Sequence, residues 1–359
     1  MTTVDIREKF VSDLVSAGHL ADPAWSAAFR AIPREVFVDD FSVASPGSAA
    51  LMPIKIDDPG RLAHVYSDTT LVTELDADGT PVSSSTAPGL MALMLAALDV
   101  QDGHRVLEIG TGTGYNAALV SHRLGAESVV SIDIDPDLVT AARTRLATLG
   151  LKPLLVAGDG AAGVPGQEPF DRLITTCGLD HIPAAWLRQV RPGGLILVNL
   201  GFTLVRLTVN ADGTAHGPIL ADQAGFMPRR SSVAETAVPS QLSEPQPQDA
   251  TAPLTDTMPL ALDVPNGRAL LSISLPGLRR ASRRDPEGRI VHLLTNSTTG
   301  AGCQAAERPD GRVEVTGDRQ LWSDISTFLQ RWDRQGRPAP EHHRVHVAAD
   351  GTHRLIEPS

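Results

Sequence analysis

A doubly wound α/β domain, preceded by helices and followed by a small α+β unit, is the fold class that this sequence predicts. Three observations carry the prediction. From Pro88 onward, short β-rich runs alternate with helical runs of roughly ten to fifteen residues, the pattern of βαβ units with parallel strands between helices. One of the strands, RVLEIG, ends in glycines at alternate positions and opens into a helix. After residue 229 the periodicity stops, and Pro, Ser, Gln and Thr take over.

The elements follow in order. Val4, Ile6, Phe10 and Leu14 space an amphipathic helix, and a second helix runs near 24–32 until Pro33 interrupts. Residues 42–85, rich in Ser, Asp, Gly and Pro, read as loops and short strands that cover something. The regular part comprises a helix at 89–98, the strand RVLEIG, a helix to about Leu124, and the strand SVVSIDI. A helix at 136–149, strands PLLVAG and FDRLITTC, a helix at 183–190 and the strand GLILVNLG complete it. A hairpin at 204–220 turns at Asp212-Gly213 and gives the sheet an antiparallel edge. The expected organisation is therefore 1–87 as N-terminal helices and covering loops, 88–229 as the core, 230–258 as a linker, and 259–359 as a C-terminal accessory unit. The last unit reads as strands LLSISL, RIVHLL, RVEVTG and HRVHVAAD with one amphipathic helix, LWSDISTFLQRW.

Composition bounds the function. The 359 residues suffice for two or three cored domains. With 42 acidic against 31 basic side chains the formal charge is −11, which repels nucleic acid and anionic membrane surfaces. Two cysteines form at most one disulfide, so no disulfide framework is expected. The N-terminus lacks a signal-peptide pattern, and the longest apolar run, LMALMLAALDV (90–100), falls short of the ~20 residues of a membrane span. A soluble, cytoplasmic protein is the expectation.

The glycine turn spans Glu108-Ile109-Gly110-Thr111-Gly112-Thr113-Gly114-Tyr115. Glycines let the chain turn tightly and let a ligand lie against backbone. A dinucleotide fingerprint, G-x-G-x-x-G, would need its third glycine at Tyr115, and the Glu108 carboxylate would oppose a pyrophosphate. An acid before such a turn suits a cationic ligand without phosphate, and S-adenosylmethionine is one. Asp133 ends the next strand, where a carboxylate can accept both ribose hydroxyls, and Asp159 in Gly158-Asp159-Gly160 is placed for the adenine amino group. Thr111, Asn116, Ile134 and Thr176 complete the expected cofactor pocket. Either acid alone could be an ordinary strand-end cap; the register of all three with the turn argues for a site.

These motifs resemble the protein-L-isoaspartate O-methyltransferase family over roughly residues 20–230. The resemblance rests on EIGTGTGY (108–115), SIDIDPDL (131–138), GDGAAGVP (158–165) and the run 170–201, with AFRAIPREVFV (28–38) and VYSD (65–68) upstream. It implies a class I methyltransferase fold and S-adenosylmethionine as cofactor. Where the family carries Thr-Ile-Ser-x-Pro, this chain has Ser84-Ser85-Thr86-Ala87-Pro88 after Ser83. The C-terminal extension, which repair enzymes of the family generally lack, and the serine run resemble a variant branch. That branch accompanies ribosomally made, modified peptides, namely graspetides of ATP-grasp systems and lanthipeptides. Leu321-Trp322, Trp332 with Gly336-Arg337-Pro338, and Asp350-Gly351 carry this part of the likeness. It implies methylation of an aspartate in a macrocyclic peptide, followed by closure to an aspartimide.

A carboxylate is already ionised at pH 7 and needs no general base to accept a methyl group. Hydroxyl donors orient such an anion without neutralising it, which makes Ser83, Ser84, Ser85 and Thr86 the expected catalytic group; the plainer reading is a flexible serine-rich loop. Other residues carry less. Cys177 reads as packing before nucleophile, His181 as substrate contact or cap, and His342, His343 and His346 lack the spacing of a metal site. Trp322 and Trp332 read as core before a peptide-stacking surface. The leading expectation is an aspartyl O-methyltransferase acting on a cross-linked peptide. A general isoaspartyl repair enzyme and a cofactor-binding protein without catalysis are the alternatives.

Overall fold

The computed structural model describes residues 2–45, 50–231, 262 and 264–358. Helix α1 (Thr3–Ser16) starts at a reciprocal cap in which the Thr2 hydroxyl accepts from the Asp5 amide and the Asp5 carboxylate accepts from the Thr2 amide. Helix α2 (Pro23–Ala31) opens at Asp22 with Pro23 in its first turn. Strands β1 (Phe41–Ala44) and β2 (Leu51–Ile54), helix α3 (Arg61–Val65), and strands β3 (Leu71–Leu75) and β4 (Pro81–Ser85) follow. The expected short strands of 42–85 thus fold as a four-stranded antiparallel sheet, in the order β2-β1-β3-β4.

The core runs α4 (Pro88–Leu98), β5 (Val106–Ile109), α5 (Tyr115–Leu124), β6 (Val129–Asp133), α6 (Pro136–Thr148) and β7 (Leu154–Ala157). It continues with β8 (Phe170–Leu179), α7 (Ala184–Gln189), β9 (Val190–Leu200), β10 (Thr203–Val209) and β11 (Ala215–Gln223). The C-terminal part comprises α8 (Pro265–Ser274), β12 (Leu278–Arg284), β13 (Ile290–Asn296), β14 (Gly302–Glu307), β15 (Val313–Gly317), α9 (Arg319–Arg334), β16 (Arg344–Val347) and β17 (His353–Ile356).

Nine strands form the main sheet in the order β17-β16-β11-β10-β9-β8-β5-β6-β7. The pairs from β9 through β8, β5 and β6 to β7 are parallel, and those from β9 outward through β17 are antiparallel. The chain leaves β5 toward β7, then returns to lay β8 on the other side of β5. That reversal is where open α/β sheets bind ligands. Successive side chains of a strand face opposite ways, and the core divides accordingly. Val106, Val129, Ile174 and Leu197 pack with α1, α2, α4, α5 and α6, whereas Leu107, Val130, Leu173 and Val198 pack with Trp186 and with residues of α8 and α9. Both faces are covered, as a doubly wound sheet requires. None of the helices among the described residues is long and apolar enough to cross a membrane.

The C-terminal residues build a second antiparallel sheet, β12-β13-β14-β15, and also lengthen the main sheet, since β16 pairs with β11 through Ala215↔Val347 and Gly217↔Val345. On α9, Leu321, Trp322, Ile325, Phe328, Leu329 and Trp332 are all buried, so both tryptophans are core. One expected element is corrected: LLSISL is not a strand but the end of α8 and the residue after it. A short apolar run cannot by itself distinguish a strand from a buried helix, and Pro265 in the first turn was the sequence's helix signal. Strands β12 and β14, rich in Arg and Ala, were missed because their sequences hold little β-propensity and pairing alone places them. Of the expected linker 230–258, only residues 230 and 231 lie among the described residues.

Candidate active site

The site forms at the C-terminal ends of β5, β6 and β7. Fully buried β5 delivers Glu108 and Ile109 into the glycine turn. Gly114, at φ +89°, is required on two counts: the left-handed backbone, and a Cβ that would stand 2.9 Å from the Cβ of Ala142 on α6. Gly112 serves differently. A Cβ there would meet only the Ser84 carbonyl, 3.7 Å away across the cleft, so this glycine leaves the cleft floor as bare backbone.

Glu108 is 1% exposed. Its carboxylate accepts from Asn116 Nδ2 at 2.6 Å and from Ser131 Oγ at 2.5 Å, and Ser131 in turn bonds Thr111 Oγ1 at 2.7 Å. Burial pushes its pKa up to about 7; the Ser131 and Asn116 bonds pull it back, and nearby Asp133 adds to the rise. A buried carboxylate whose hydrogen-bond partners are neutral is suited to a cationic ligand. The Asn116 Oδ1 atom is also buried without a hydrogen-bond partner. Asp133 accepts from the Gly112 amide at 2.8 Å and the Asp135 amide at 3.1 Å. These bonds pin the turn to the end of β6, and the carboxylate keeps acceptor capacity for further donors. Asp159 caps the short turn 160–162 by accepting from the Ala161 amide at 2.9 Å, and it pairs with Arg229 Nη1 at 2.8 Å.

Opposite the glycine turn runs the end of β4. Ser83, Ser84, Ser85 and Thr86 all line the same cleft, of about 890 Å³ measured to its open mouth. Ser83 Oγ accepts from Thr73 Oγ1 at 3.0 Å, and Ser85 Oγ accepts from Arg34 Nε at 3.2 Å. Within β4 Ser84 alternates with them, and Ser84 and Thr86 are the less buried of the four. The serine run is thus part of a paired strand. Gly110, Thr111, Gly112, Tyr115, Asn116, Ile134, Gly160 and Thr176 also line the cleft, whereas Gly114, Gly158 and Asp159 are not among its lining residues. Thr176 Oγ1 donates to the Gly110 carbonyl at 2.6 Å, and the Gly158 amide donates to the Asp133 carbonyl at 2.8 Å.

Sequence reasoning missed two contributors. Met227, Pro228, Arg229 and Arg230 lie along the cleft, held there because the Gly178 amide donates to the Met227 carbonyl and the Arg229 amide to the Gly178 carbonyl, each at 2.8 Å. No motif marks this segment; two arginines in a chain with three acids at one sheet edge were the available signal. The other is Arg34, fully buried beneath β4. Cys177 touches the cleft, but burial pushes its thiol up to about 12, so it is protonated at neutral pH and a poor nucleophile. His181 is bonded to Asp180 at 2.6 Å and lies outside the cleft. Among the described residues no group of three His, Cys, Asp or Glu side chains is placed to hold a metal, His342, His343 and His346 included.

The family model for protein-L-isoaspartate(D-aspartate) O-methyltransferase matches residues 5–215. This chain belongs to that family. A protein-L-isoaspartate O-methyltransferase of Xanthobacter autotrophicus is 36% identical over 236 residues, 64% of this chain and 94% of its own length. One from Thermotoga maritima is 39% identical over 147 residues, 40% of this chain but only 46% of its own length. A solved protein-L-isoaspartate O-methyltransferase structure superposes with a TM-score of 0.59 at 24% identity, covering 98% of this chain and 99% of its own. That match establishes the α/β methyltransferase fold, and the structural similarity extends through the C-terminal residues. The cofactor of this family member is S-adenosylmethionine, and its enzyme class is carboxyl O-methyltransferase; the buried acid and the glycine turn fit that sulfonium cation.

Proposed function

We propose that this protein methylates a side-chain or isoaspartyl carboxylate of a peptide, with L-isoaspartyl residues as the first substrate class. The carrying observation is one cleft walled on one side by the glycine turn with Glu108 and Asp133, and on the other by residues 83–86, of which Ser84 and Thr86 are the less buried. In this reading Glu108 and Asn116 face the cationic end of the cofactor, Asp133 takes its ribose hydroxyls, and Asp159 lies toward its adenine. When bound, the cofactor supplies a methyl group on an electrophilic sulfonium. The chain's own residues do the rest. Ser84 and Thr86 donate to the acceptor carboxylate and orient one oxygen, while the apolar parts of Met91, Met227 and Pro228 exclude water. No residue needs to remove a proton. The methoxy group of the ester so formed leaves more readily than the oxygen of the free carboxylate, so the following backbone nitrogen can attack the ester carbonyl and close a succinimide, its proton leaving with the methoxide as methanol.

A second reading is favoured by Ser85, a buried hydroxyl at the position of the family's isoleucine. It proposes that the acceptor is an unmodified aspartate in a constrained, ribosomally made peptide of the graspetide or lanthipeptide kind, with residues 259–359 contributing to peptide binding. Pre-cyclised peptides lose less entropy on docking. One experiment separates the two. The protein is incubated with methyl-labelled S-adenosylmethionine and an L-isoaspartyl peptide, its L-aspartyl isomer, or a macrocyclic aspartyl peptide, and base-labile label is counted. Label on the isoaspartyl peptide alone supports the first reading, label on the macrocycle alone supports the second, and no label on any refutes both.

A further inference from the structure

Arg34 is a fully buried cation for which neither cofactor nor acceptor binding, as described above, has a use. No carboxylate forms an ion pair with it among the described residues. Its guanidinium instead spreads over backbone oxygens. Nη1 donates to the Val65 carbonyl at 2.8 Å and the Ser67 carbonyl at 3.2 Å. Nη2 donates to the carbonyls of Thr69, Ser85 and Thr86, each at 3.1 Å, and Nε donates to Ser85 Oγ at 3.2 Å. Its carbon Cζ lies 6.0 Å from the centre of the Tyr115 ring, at the start of the helix that follows the glycine turn. One side chain thus ties together the segment 65–69, the hydroxyl wall, and the cofactor side of the cleft. Burial lowers its pKa to about 10, which still leaves it charged at neutral pH.

Other buried arginines in this chain show what an ordinary structural role looks like. Arg61 also donates to carbonyls, but all of them, on Glu35, Val38 and Asp39, belong to one short segment away from the cleft. Arg172 holds the end of α4 through the Leu98 and Asp99 carbonyls. Only Arg34 among these three has partners in the cleft wall.

We propose that Arg34 is a positioning residue for methyl transfer. Its planar fork fixes the backbone of Ser85 and Thr86, and through it the side chains of Ser84 and Thr86. Its buried positive charge makes that wall attractive to a carboxylate. A lysine cannot replace it, because three donors from one nitrogen cannot reach two segments and a hydroxyl in a fixed plane. The inference rests on the reading that residues 84–86 face the acceptor.

The test compares Arg34→Lys, Arg34→Ala, and the double variant Ser84→Ala/Thr86→Ala, with cofactor affinity, thermal melting, kcat and acceptor KM measured on each full-length protein. Arg34→Lys is expected to melt cooperatively and to bind S-adenosylmethionine within about threefold of the parent. Its kcat should fall on the order of 10²-fold, the usual cost of misplacing a reacting group by about 1 Å. Millimolar guanidinium should restore part of the turnover of Arg34→Ala, while urea, of the same shape but neutral, should not. Turnover of Arg34→Lys within threefold of the parent, equal losses of cofactor affinity and turnover, equal rescue by urea, or failure of both Arg34 variants to fold would each overturn the proposal. If Ser84→Ala/Thr86→Ala also keeps full turnover, the reading of the wall fails with it; if that variant is impaired while Arg34→Lys is not, only the role of Arg34 fails.

Discussion

Glu108 should couple cofactor binding, protonation and stability, with opposite signs in the free and bound protein. In the free protein burial raises its pKa from 4.5 to about 7. The folded state therefore binds a proton more tightly than the unfolded chain. Between about pH 4.5 and 7 the folded state holds more protons, so stability falls as pH rises through that window and levels off above it. A shift of this size corresponds to about 3 kcal/mol. Cofactor binding runs the other way, because a sulfonium and an ammonium favour the ionised carboxylate. The ionised fraction drops roughly tenfold between about pH 8 and pH 6, so S-adenosylmethionine affinity should drop by a similar factor, with about half a proton released per cofactor bound near pH 7. Titration calorimetry in two buffers of different ionisation heat measures that proton, and chemical denaturation across pH measures the stability slope. Glu108→Gln should remove both dependences and weaken binding at pH 8. Flat affinity from pH 6 to 8 without proton release would refute the placement of the cation at Glu108.

Asp133→Ala should weaken S-adenosylmethionine binding by about 1.5–3 kcal/mol by calorimetry, and Asp133→Asn by less, since one oxygen remains for the Gly112 amide. Ser84→Ala/Thr86→Ala should lower turnover in the labelled-methyl assay while cofactor affinity stays near the parent value. Gly114→Ala should cost about 2 kcal/mol or more in denaturant melts, from its φ of +89° and the 2.9 Å approach to Ala142. Removing residues 259–359 should lower the melting temperature and promote aggregation, because it strips β16 from β11 and exposes Trp186 and Leu207, which pack in one core with Leu270 and Leu329. A truncated chain as stable as the parent would contradict that shared core.

What the sequence determined by itself is the part written in short-range pattern. The alternation of short apolar β-runs with helical runs from Pro88 to Leu200 specifies a parallel sheet with two covered faces. The three acids Glu108, Asp133 and Asp159 fall at the C-terminal ends of their strands because each closes, or stands just past, its own β-run. The glycines mark a turn because only they tolerate its backbone. Long-range pairing decided the rest. Arg34 reaches Ser85 across 51 positions, and nothing around residue 34 announces that partner. Met227 to Arg230 line the cleft only because Gly178 pairs with them. β16 joins β11 rather than the small sheet, and α8 is a helix because its apolar side has α9 and β17 to pack against. Hydrogen bonds and apolar contacts between distant segments depend on how the whole chain closes, and local periodicity holds no record of that closure.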